Sequence, residues 1–90
     1  MAVKVLIPAP MRQHTGGNAA VDAAGGTVRE ALTNVGYLFP ELTERLFEGS
    51  ALKKFVNVFV NDEDIRYLSN LDTAVKDGDE VNIIPAVAGG

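Results

Sequence analysis

Apolar and polar residues alternate in three stretches of the chain, and between them apolar residues recur at helical spacing. In residues 3–7, Val3, Val5 and Ile7 share one face and Lys4 and Leu6 the other, until Pro8 and Pro10 break the run. This pattern predicts a first strand. Arg12 to Asn18 is rich in turn formers, and Ala19 to Ala23 has the length to return as a short antiparallel strand. Val28, Ala31, Leu32 and Val35 then follow at helical spacing up to Gly36. Thr27 with Glu30 three positions on is a capping-box pattern, so a helix is predicted over 28–36.

Pro40 opens a second, shorter helical stretch in which Leu42 and Leu46 share a face and Gly49 supplies a stop. Phe55 to Val60 alternates again. Asn61 to Asp64 reads as a polar turn leading into Ile65 to Leu68, which together predict a hairpin. Asp77-Gly78-Asp79 is a further turn before a last strand, Glu80 to Pro85. No linker, repeat or low-complexity tract divides the chain. The pattern predicts an α+β domain, a mixed sheet of four to five strands packed on one main helix, over residues 1–84, with a flexible tail over 85–90.

Parity on the strands has a consequence for the sheet's second face. If Val56, Val58 and Val60 meet the helix, Phe55 and Phe59 point away, and Leu6 and Ile84 do the same on their own strands. A contiguous apolar patch there would mark an interaction site. Scattered surface side chains, or cover from residues 38–54, are the alternatives.

Composition narrows the chemistry. The 90 residues allow one core. The longest apolar runs are three residues, too short for a bilayer span or a secretory signal, so a cytoplasmic protein with no membrane partner is expected. There is no Cys, hence no disulfide, thiolate nucleophile or Cys-bound metal. The net charge of −4 is concentrated in the second half, where four cations face eight acids, seven of them between Asp62 and Glu80. Such a surface repels phosphate backbones, which argues against a nucleic-acid partner, and steers a basic protein face towards it.

No side chain presents itself as catalytic. His14, the single imidazole, lies in a polar loop without a matching nucleophile or acid at any motif spacing, so a structural or solvent-facing role is read for it. Asp62-Glu63-Asp64 lacks the glycine and spaced ligands of a calcium loop, and no metal site is expected. Gly16-Gly17 and Gly25-Gly26 fit no phosphate-binding motif, and Ser50 and Ser69 have no base at a motif spacing. What remains is the tail, Ala86-Val87-Ala88-Gly89-Gly90. Two residues without Cβ can pass a channel too narrow for side chains, and six extended residues from Pro85 reach roughly 20 Å. A frayed polar end is the plain alternative.

Val81 to Gly90, preceded by Asp77-Gly78-Asp79-Glu80, resembles the C-terminal signature of the ubiquitin-like β-grasp sulfur carriers of the MoaD and ThiS type. Arg12-Gln13-His14-Thr15-Gly16-Gly17 and Phe55 to Arg66 resemble the corresponding segments of the branch that supplies sulfur for cysteine biosynthesis. Residues 38–54 make the chain longer than the minimal thiamin-type carriers.

The resemblance implies a β-grasp fold and a non-enzymatic carrier. An E1-like adenylating partner would use ATP and magnesium to activate the carboxylate of Gly90, and sulfide or a persulfide donor would convert it to a thiocarboxylate. Val87, Ala88 and Gly89 would thread into that partner, and Phe59, Ile84 and Leu6 would form the docking patch. Acceptors implied are a PLP-dependent cysteine synthase, with a metalloprotease releasing the product, or the large subunit of molybdopterin synthase. A ubiquitin-like modifier joined to lysines is a further alternative.

Overall fold

The computed structural model describes residues 2–85. Five strands form the main sheet: β1 (Val3–Leu6), β2 (Ala20–Ala23), β5 (Val56–Val60), β6 (Glu63–Asp64) and β7 (Glu80–Pro85), in the order β2-β1-β7-β5-β6. β1 and β7 run parallel at the centre, and the other pairings are antiparallel. Helix α1 (Val28–Leu38) covers one face. Val3, Val5, Ile7, Val58, Val60, Val81 and Ile83 are buried from the sheet, and Val28, Ala31, Leu32 and Val35 from the helix. The alternation in the sequence thus places its aliphatic half against α1. Burying such side chains is worth about 1.5–3 kcal/mol each.

α1 starts as the sequence predicts, with a shifted cap. The Glu30 amide donates to Thr27 Oγ1 at 3.2 Å, and Glu30 Oε1 accepts from the Gly26 amide at 2.7 Å, one residue before the usual partner. The helix does not stop at Gly36 but continues to Leu38. Phe39, the residue before Pro40, leaves the helical region at φ −134°, ψ 81°, as the proline ring demands. Gly36 is instead a contact point: a Cβ there would overlap Thr43 Oγ1 on the second helix.

That second helix, α2 (Pro40–Leu46), buries both Leu42 and Leu46. The predicted stop at Gly49 is corrected. Gly49, at φ +67°, turns a two-stranded hairpin of β3 (Phe47–Glu48) and β4 (Ala51–Leu52) that the alternation was too short to reveal. Arg29 Nη1 donates to the Ser50 carbonyl at 2.7 Å, fastening the hairpin tip to α1.

Three further expectations change. The turn after β5 is only Asn61-Asp62, both at positive φ (48° and 76°), as a tight two-residue hairpin turn requires. The return strand is therefore Glu63–Asp64, and Ile65–Tyr67 is a 3₁₀ turn rather than a strand. Between β1 and β2, Ala9–His14 also winds into a 3₁₀ turn, where the sequence predicted an irregular loop. β7 includes Pro85, the first residue assigned to the tail, opposite Val56.

Candidate functional site

β7 is fixed at its start and leads to the tail at its end. Asp79 accepts from the Lys76 amide and from the Asn61 carboxamide, both at 2.9 Å, while Asn61 Oδ1 accepts from the Glu80 amide at 2.9 Å. These bonds, that from Asn61 foremost, hold the Asp79 carboxyl below its ordinary pKa. They join the Asp77–Asp79 turn to the β5–β6 turn. The strand then proceeds with Val81 and Ile83 in the core and Asn82 and Ile84 on the opposite face.

That opposite face has a defined register. Leu6 pairs with Asn82, Asn82 with Phe59 and Phe59 with Asp64, giving one row across β1, β7, β5 and β6. Ile84 pairs with Asn57 in the next row. Leu6 and Phe59 are half-buried, and Ile84 is 40% exposed. All three predicted docking residues therefore share the face away from α1. Residues 39–52 do not lie over it: α2 packs on α1 and on the Ala9–His14 turn. Phe55, 49% exposed, lies in the turn just before β5.

At the β6 end of the row, Asp64 is nearly covered and receives Arg66 as a fork, Nη2 at 2.6 Å and Nε at 3.0 Å, with the Arg66 amide at 2.9 Å. The Arg66 side-chain hydrogen bonds, followed by that amide, hold the Asp64 carboxyl below its usual range. At the other end, a shallow groove beside the last residues of β7 is lined by Leu6, Pro8, Arg12, Ile84 and Pro85. Arg12 Nε donates to the Ile7 carbonyl at 3.0 Å, which fixes the groove wall.

Val87, Ala88, Gly89 and Gly90 lie outside the described residues. His14 has a structural role: its Nδ1 lies 2.7 Å from Glu41 Oε2 and ties the Ala9–His14 turn to α2. No cluster of three metal-ligating side chains occurs among the described residues, and no helix there is long and apolar enough to cross a membrane. Asn57 and Asn82 occupy the polar positions of the two alternations, on the face away from α1.

A mixed sheet grasping one principal helix, with the last strand at its centre, defines a ubiquitin-like β-grasp protein. The chain belongs to the ThiS family, whose model matches residues 5–90. It is 45% identical over 93 aligned residues, covering all of both chains, to the sulfur carrier protein CysO of Mycobacterium tuberculosis. The crystal structure of the Amycolatopsis orientalis BexX/CysO complex contains a chain 47% identical, with a TM-score of 0.93 over 99% of this chain and 100% of that one. Small archaeal modifier protein 1 from Methanosarcina acetivorans is 30% identical, with a TM-score of 0.86 over 99% of this chain and 96% of that one.

Proposed function

We propose that this chain is a sulfur carrier in cysteine biosynthesis, loaded at the carboxylate of Gly90. The observation that carries the reading is the placement of β7. It is held on both sides in the middle of the sheet, and its last residue, Pro85, is followed in the sequence by Ala86-Val87-Ala88-Gly89-Gly90. The full-length likeness to CysO supports the same reading.

The chemistry needs no side chain of the carrier. A carboxylate is a poor acyl electrophile, so an oxygen of Gly90 attacks the α-phosphorus of ATP in an E1-like partner, and pyrophosphate leaves. Sulfide adds to the resulting acyl carbon and AMP departs, which leaves a thiocarboxylate. Its polarizable sulfur then bonds to the β-carbon of a serine derivative held by a PLP-dependent synthase, and the derivative's activated side-chain oxygen departs with the group it carries. An acyl shift from sulfur to nitrogen and hydrolysis of the new amide by a metalloprotease free cysteine and restore the carboxylate. The chain contributes docking, through Leu6, Phe59 and Ile84, and reach, through Val87 to Gly90.

Incubation with the E1-like enzyme of the same organism, magnesium, ATP and sulfide, followed by intact mass spectrometry, tests this. Replacement of one terminal oxygen by sulfur is expected, and deletion of Gly90 abolishes it. A wild-type mass unchanged under conditions in which that enzyme loads another carrier would overturn the reading.

The likeness to small archaeal modifier protein 1 favours a second outcome for the same activated carbonyl, attack by a lysine amine of another protein. Isopeptide-linked peptides bearing the Gly-Gly remnant in cell digests, without a sulfur-bearing terminus, would establish that use instead.

A further inference from the structure

The loop of residues 12–18 is built more firmly than a connection between two strands requires. The Arg12 carbonyl accepts three bonds, from the Thr15 amide at 3.0 Å, the Gly17 amide at 2.8 Å and Thr15 Oγ1 at 3.2 Å. Thr15 is fully buried, and Gly16 and Gly17 hold consecutive left-handed conformations, φ +64° and +85°, that close the loop on that carbonyl. The side chain is fixed as well, because Arg12 Nε donates to the Ile7 carbonyl at 3.0 Å. Main chain and side chain together aim one guanidinium.

That guanidinium has no carboxylate among the described residues. Arg29 meets Asp72 and Arg66 meets Asp64, but Nη1 and Nη2 of Arg12 make no hydrogen bond or ion pair there. With Nε occupied, these two nitrogens are the open end of a planar fork, shaped to hold one carboxylate by two parallel bonds. The fork lines the groove described above, and so does Pro85. The groove crosses the ends of β7, β1 and β2, with Ile84, Leu6 and Ala20 along it, a width of two strand spacings or roughly 10 Å. Residues 86–90 follow Pro85 in the sequence, and five residues span at most roughly 17 Å. They have the length to cross the groove and end at Arg12, with Val87 over its apolar floor. A tether this short keeps the terminal carboxylate at an effective concentration on the order of millimolar.

We infer that Arg12 is the receptor for this chain's own C-terminal carboxylate, and that residues 86–90 fold back along the groove in the free protein. An exposed ion pair shifts a population by a factor of a few, so the end is sheltered between encounters without being locked. A thiocarboxylate carries the same single charge and is held in the same way. That consequence rests on the carrier reading above; the contact itself does not.

NMR of the full chain in its carboxylate form tests this through Arg12→Gln, whose carboxamide can still donate to the Ile7 carbonyl. In the wild type at low ionic strength, NOEs are expected from the Val87 methyl groups to Leu6 and Pro8. They should be lost in Arg12→Gln, and lost in the wild type at 1 M salt, where the screening length falls to about 3 Å. A chain ending in the Gly90 carboxamide leaves the loop untouched and should lose them too, so a destabilised Arg12→Gln does not blur the result. Absence of the NOEs from the wild type would overturn the inference. So would their survival in the carboxamide chain, which would show apolar contact alone, or growth with protein concentration, which would place the tail of a second copy in the groove. No enzyme, ATP or sulfur enters the measurement. A chain that is never loaded therefore leaves this inference standing, and a working carrier whose tail ignores Arg12 refutes it alone.

Discussion

Phe59 and Asp64 stand directly across from each other, so a carboxylate at position 59 would face a second one and disturb the Arg66 fork as well as any docking. Phe59→Ser is therefore the cleaner probe. It is expected to lower the specificity constant for activation at least about tenfold while the circular dichroism spectrum is retained. Asp64 supplies a pH dependence of its own. Its folded pKa is depressed by Arg66, so its stabilising contribution is present above the unfolded value of about 3.9 and is lost as pH falls through the folded one. Asp64→Asn should lower the thermal midpoint near neutral pH and flatten its decline below about pH 4, as melting curves at a series of pH values would show. At this scale the sequence was partly legible. Parity placed Leu6, Phe59 and Ile84 on one face because a strand has a period of two, but it gave no register between strands. The Phe59–Asp64 and Asn57–Ile84 pairings depend on how far each turn extends, and Asn61-Asp62 turned sooner than its run of acids suggested.

Elements with a repeating pattern were easy to read, and those of two residues were not. β1, α1, β5 and β7 each carry several apolar residues at one period, whereas β3 and β4 hold two residues apiece and show none. Gly49 therefore looked like a helix stop, although it turns a hairpin that Arg29 pins to α1. Gly36 was misread for a related reason. Glycine ends many helices, but here its missing side chain admits Thr43. Gly36→Ala places a methyl group where the Thr43 hydroxyl now sits, so that exposed hydroxyl must take another rotamer, and the cost is expected to offset alanine's gain in helix propensity of about 1 kcal/mol, leaving the urea midpoint little changed. Leu42→Ala should cost roughly 2–5 kcal/mol, since the side chain is fully buried beneath α2. Thr27→Ala removes the α1 cap and should cost about 1 kcal/mol.

At the scale of the molecule, the surplus acids sit between Asp62 and Glu80, in the β5–β6 turn and in the stretch leading to β7. A partner with a basic rim would be drawn towards this side, and activation should slow as salt rises, mainly through the rate of association. Initial rates at low and high ionic strength measure this, and an unchanged specificity constant would remove the steering argument. The position of β7 bears on mechanics as well. A pull applied beyond Pro85 runs along a strand bonded to β1 on one side and β5 on the other. It must shear both ladders at once instead of peeling an edge strand bond by bond. An enzyme that tugs on this strand meets a clamped handle, because the load passes into two neighbouring strands at once.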